Sequence, residues 1–90
     1  MLALATCYCN DIYREAARLG LQVDSVEVEA QADFEGIGLA ASNISYRARV
    51  ESTAPRAKIE ELLRQTDAVA EIQNTVRAGS AVLLSPWTTD

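Results

Sequence analysis

The chain has 90 residues, 49% of them hydrophobic, and a formal charge of −5 with no histidine. That length holds one domain, which buries only roughly 60–65% of its unfolded surface. The acidic balance argues against a general nucleic-acid or anionic-membrane surface, and neither a membrane-spanning apolar run nor a basic region ahead of an apolar leader is present.

Leu2, Ala5, Cys9, Ile12, Ala16 and Leu19 recur at a helical period, which predicts a first helix over Leu2–Leu19. Successive helical residues are offset by about 100°, so the two cysteines, two positions apart, point to nearly opposite sides. Cys9 falls on the apolar stripe and reads as core. Cys7 falls with Asp11, Arg14 and Arg18, polar groups able to tune a thiol. Gly20 can close the helix in a left-handed conformation. Its start has no Ser, Thr, Asp or Asn cap, so the expectation is that further chain, from a partner or a longer polypeptide, lies ahead of it.

Opposed cysteines cannot staple the fold. Cys-x-Cys without histidine or a second cysteine pair is no zinc pattern, so no metal and no cofactor is expected. A reducing cytoplasm is the simplest setting.

After Gly20 the period becomes two. Val26, Val28, Ala30, Ala32 and Phe34 alternate with polar residues, and so do Ile44, Tyr46, Ala48 and Val50. Acidic Glu27 and Glu29 on one strand suit Arg47 and Arg49 on the other, which predicts an antiparallel pair joined by a loop over Glu35–Asn43 that contains Gly36 and Gly38. Thr53 as a cap and Pro55 in a first turn predict a second helix with Ile59, Leu62 and Leu63 inward. Thr66 and Asp67 interrupt this helix, and Asp67 can start a short third helix through Val69, Ile72 and Val76, ended by Gly79. Ala81–Leu84 reads as a last strand, and a tail follows from about residue 85. The fold class expected is α+β in the order α-β-β-α-α-β. A thin sheet with open edges calls for protection by missing strands or by a second copy.

Ala3-Leu4-Ala5-Thr6-Cys7, then Gly20 and the acidic strand Val26-Glu27-Val28-Glu29, resembles the central cysteine helix of the OsmC/Ohr-like proteins. Ile59 to Gly79, ending Ala70-Glu71-Ile72-Gln73-Asn74-Thr75-Val76-Arg77-Ala78-Gly79, is similar to their second helical segment. On this resemblance, residues 1–90 are a single partial OsmC-like domain that corresponds to the later part of the family domain and lacks its early strands. The resemblance implies a homodimer whose helix cysteine attacks an organic hydroperoxide, with Cys7 in that peroxidatic position. Glu71 occupies the place of the second, resolving cysteine, so a small thiol or dithiol reductant would have to complete the cycle. The alternative is a non-catalytic dimeric domain of the same fold with a structural or small-ligand-binding role.

Other residues carry less chemistry. Tyr8 lies at the margin of the apolar stripe, and Gln73 and Asn74 read as structural or interfacial. Gly36 and Gly38 make no phosphate loop, since no lysine or helix start follows. Trp87, beside Pro86, is an aromatic able to pack on a partner.

Overall fold

The computed structural model describes residues 1–86, and the order of its elements is α-β-β-α-α. Helix α1 spans Leu2–Leu19 and ends as a Schellman turn: Gly20 takes φ 71°, and Leu21 N–H donates to Ala16 O at 2.8 Å. Strands β1, Ser25–Phe34, and β2, Ala41–Glu51, form a two-stranded antiparallel sheet. The register sets Glu27 opposite Arg49 and Glu29 opposite Arg47, and the side chains meet at 2.8 and 2.7 Å. The charge pattern therefore selects the pairing that alternation alone leaves free. A register shift between Gln31 and Asp33 bends the ladder near its loop end, beyond which Phe34, Ile37 and Leu39 stand exposed.

Helix α2 spans Arg56–Ala68 and α3 spans Glu71–Ala78. Pro55, not Thr53, is the residue that enters α2. Its fixed φ suits the helix entry and its missing N–H costs nothing there. Thr66 and Asp67 do not interrupt α2. Thr66 is fully buried and donates its hydroxyl to Leu62 O at 2.7 Å, so its polar group is satisfied inside the helix.

The core sits where α1 crosses the sheet and α2. Tyr8, Ile12, Ala16, Leu62 and Ala70 are buried together, with Val26, Val28, Ala48 and Val50 packed against them from the strands. The inward face of each strand is the one its alternation predicts.

The expected last strand is not formed. Among the described residues the chain is irregular after α3, and Val82, Leu83 and Leu84 are 95%, 84% and 100% exposed. The order α-β-β-α-α-β is thus corrected to α-β-β-α-α. A strand exists only as one side of a ladder, and Ala81–Leu84 meets no sheet edge where Gly79 turns the chain out of α3. Apolar content supplies the tendency to pair but not the partner. The expected tail from about residue 85 falls partly, and Trp87 wholly, outside the described residues.

Candidate functional site around the first helix

The buried residues of α1 are Leu4, Tyr8, Ile12, Glu15 and Ala16. At 100° per residue, this face lies about 60° from the stripe through Leu2, Ala5, Cys9 and Leu19. Tyr8 accounts for the rotation. Its ring packs edge-on against Tyr46, with centroids 4.6 Å apart, and its hydroxyl donates to Leu63 O at 2.7 Å. An amphipathic side chain that finds a polar partner at its tip can be buried whole, and it takes the central place the small Cys9 would have held.

The two cysteines consequently flank the buried face, one on each side. Both are free and half-buried. Cys9 lines an open groove with Leu2, Ala5, Thr6, Asn10 and Val28, so it borders β1 and is not core. Cys7 lies on the flank toward α3. Contacts on either side of it define that flank: Gln73 Nε2 donates to Leu4 O at 3.1 Å, and Arg14 Nη1 approaches the Glu71 carboxylate at 3.8 Å. Leu4, Cys7, Asp11 and Arg14 follow one another at spacings of three, four and three, a single ridge on the helix.

Charge along this ridge is balanced loosely. Arg14 stands 3.4 Å from Asp11, 3.5 Å from Glu15 and 3.8 Å from Glu71, contacts longer than good hydrogen bonds. Its cation is shared by three carboxylates and committed to none. Glu71 is 81% exposed at the side chain and sits in the first turn of α3, where the helix terminus favours an anion. The structure thus brings Glu71 to the same seam as Cys7, linked to α1 through Arg14. Glu15, by contrast, is buried and held firmly. Arg18 donates to it at 3.0 Å, and this bond, helped by Arg14, holds its carboxyl below the usual range. Arg18 also donates to Gln65 Oε1 at 3.1 Å and so ties α1 to α2.

A second polar group was not legible in the sequence. Tyr46, from β2, donates its hydroxyl to Asp67 at the end of α2, and Arg77 of α3 meets the same carboxylate at 2.5 Å. Burial pushes the Tyr8 phenol up to about 12, and burial together with the bond to Asp67 raises that of Tyr46 further. Burial alone would raise Asp67 too; hydrogen bonds from Tyr46 and Arg77 outweigh it and hold the carboxyl low. The only sequence signal was Tyr46 at an inward strand position. Its partners lie 21 and 31 residues away, beyond any local pattern.

Gln73, read from sequence as structural or interfacial, is 3% exposed, and its Oε1 is buried without a hydrogen-bond partner. Asn74 is exposed and donates to Ala68 O at 3.1 Å. No three His, Cys, Asp or Glu side chains are gathered to hold a metal ion among the described residues. No helix among them is long and apolar enough to cross a membrane.

Residues 1–85 match the protein family described as OsmC-like protein. The match takes in essentially the whole chain. This corrects the narrower resemblance to the later part of the domain alone. No match to a curated protein was found.

Proposed function

The chain belongs to the OsmC-like protein family, and from that premise we propose that it is a thiol-dependent organic hydroperoxide reductase with Cys7 as its peroxidatic thiol. The observation that supports this reading is the position of Cys7: half-buried on the α3-facing ridge, one turn before Asp11, with the loosely held Arg14 guanidinium beyond it. A helix side chain leans toward the N-terminus of its helix, so Arg14 extends along the ridge in the direction of Cys7.

In the reaction, the Cys7 thiolate attacks the distal oxygen of the hydroperoxide. The O–O bond breaks, the leaving alkoxide takes a proton to become an alcohol, and Cys7 becomes a sulfenic acid. A small thiol condenses with the sulfenic acid, releasing water and leaving a mixed disulfide. A second thiol reopens that disulfide and regenerates Cys7 as the reductant pair is oxidised. Glu71 stands where the resemblance places a resolving cysteine, so resolution is left to the external thiol. Cys9 is a poor resolver, because it lies on the opposite flank of α1. A reducing compartment such as the cytoplasm suits two free thiols.

The whole chain acts as one domain and works as a homodimer. Exposed Phe34, Ile37 and Leu39 at the sheet's loop end support a second copy as the cover for this apolar surface. Sedimentation equilibrium at low micromolar concentration tests it, and a stable folded monomer rejects it. A non-catalytic dimeric domain is the second reading, favoured by the engagement of Glu71 with Arg14.

Mass spectrometry after substoichiometric organic hydroperoxide, with and without a small thiol, separates the two. The enzyme reading expects a sulfenate or mixed disulfide at Cys7, abolished by Cys7→Ser. Cys9→Ala should leave that oxidation intact and change stability by no more than about 0.5 kcal/mol, since Cys9 borders an open groove. No oxidation of Cys7 defeats the enzyme reading, whereas oxidation confined to Cys9, or a rapid Cys7–Cys9 disulfide, shows that the helix-face assignment of the two thiols is wrong.

A further inference from the structure

Between α1, α3 and β2 lies a crevice of about 100 Å³ lined by Leu4, Ile44, Tyr46, Gln73, Val76 and Arg77. One of these lining residues, Gln73, carries a buried acceptor without a partner, its Oε1. The orientation of that amide is fixed. Nε2 donates to Leu4 O at 3.1 Å, and turning the amide over would set two oxygens against each other. The lone pairs of Oε1 therefore remain unused, and Ile44 and Val76, which line the same crevice, are 38% and 45% exposed.

The other polar groups of the crevice are spoken for. Tyr46 donates its hydroxyl to Asp67, and Arg77 is engaged by the Asp67 carboxylate and by Asn74 Oδ1 at 3.1 Å. The Arg77 charge is thus compensated, so the crevice offers no net cation to an anionic ligand. A water entering it would find one acceptor, whereas a buried water ordinarily makes about three hydrogen bonds. A molecule with one donor and an apolar body loses nothing of that kind. Its donor meets Oε1, and its hydrocarbon parts Ile44 and Val76 and lies against them, Leu4 and the Tyr46 ring.

We propose that this crevice is a binding site for a small, neutral, amphipathic molecule that presents a single hydrogen-bond donor at the end of an apolar chain, such as a short primary alcohol. The volume of about 100 Å³ suits a head of roughly four heavy atoms, scaled from the ~150 Å³ cavity that accommodates benzene. The site is independent of Cys7 and of the redox reading.

The test is a pair of NMR titrations of the full chain, following the Gln73 side-chain amide and the Ile44 and Val76 methyl groups. One titrant is 1-butanol and the other is its isomer methyl propyl ether, which has the same heavy-atom count and no donor. The alcohol should produce saturable shifts at all three residues and bind about tenfold more tightly than the ether, the ratio that one hydrogen bond supplies. Gln73→Met, which keeps the length and removes the acceptor, should bring the two affinities together. Equal affinities in the unaltered protein, or shifts that rise linearly without saturation, overturn the proposal. So does a preference for alcohol that survives Gln73→Met. If that variant fails to fold, the two titrations of the unaltered protein still decide.

Discussion

The two seams that α1 makes with the later helices are built to different standards. Toward α2 the seam is closed: Ile12, Leu62 and Thr66 have no exposure, Tyr8 reaches Leu63 O, and Arg18 spans from Glu15 to Gln65. Toward α3 it is loose. Cys7 is half-buried there, Arg14 meets Glu71 only at 3.8 Å, and Gln73 leaves an acceptor unpaired. Both seams lie on one helix, so the difference comes from the partners. Helix α2 is 13 residues long and presents Leu62, while the eight residues of α3 bury a glutamine. A short helix with a polar buried position contributes little packing energy and leaves room for chemistry. The packing is thereby concentrated in the α2 seam, while the α3 seam holds the half-buried Cys7 and the unpaired Gln73 acceptor.

The sharpest way to break this contrast is to empty the closed seam. Leu62→Ala should cost about 2–5 kcal/mol, the range for a large apolar side chain removed from a well-packed core. In a domain this small that approaches the whole folding free energy. Urea denaturation followed by circular dichroism measures it, and a loss below about 1 kcal/mol would show that the α1–α2 seam is not the stabilising one.

Next in size is the response to alkaline pH, which probes the tyrosines beneath that seam. The Tyr8 phenol ionises near 10.0 when unfolded and is pushed up to about 12 in the fold, and Tyr46 is raised as well. Folding therefore favours the protonated phenols. Their contribution is complete below pH 10.0, and it is lost as pH climbs toward and through the folded values. Stability should fall between about pH 10 and 12, and Tyr46→Phe should flatten that fall. Denaturation at stepped pH, with tyrosinate absorbance recorded alongside, checks it. A flat profile over this window would deny that the phenols are sheltered.

The smallest effect belongs to the loose seam. Gln73→Met gives up one hydrogen bond to Leu4 O but also removes a buried acceptor that has no partner. Terms of roughly 0.5–1.5 and 1–3 kcal/mol then oppose each other. The net change should lie within about 1 kcal/mol of zero or be slightly stabilising. The same urea experiment reads it, and a loss as large as that of Leu62→Ala would make the two seams equivalent.

Much of this architecture follows from local pattern. The helical period and Gly20 set α1, alternation and matched charge set the hairpin and its register, and Gly79 ends α3. Cys7 could be singled out because a helix separates residues i and i+2, whatever the helix packs against. Periodicity states how wide an apolar stripe is. It does not say which way the stripe turns once neighbours arrive. The burial of Tyr8 in place of Cys9 depended on Leu63 O and the Tyr46 ring, 55 and 38 residues away. Asp67 joined Tyr46 and Arg77 only because three elements converge there.

Ala81–Leu84 shows the converse. Its sequence is apolar enough for a strand, but strand formation requires hydrogen bonds that a neighbouring strand must supply. The sequence alone determined the identity and order of α1, β1, β2, α2 and α3, because helix period, strand alternation and chain reversal are local properties of the backbone. Only the tertiary structure decided which faces are buried, which carbonyls Tyr8 and Gln73 meet, and whether the last apolar run pairs. Those outcomes depend on groups distant in sequence competing for the same space.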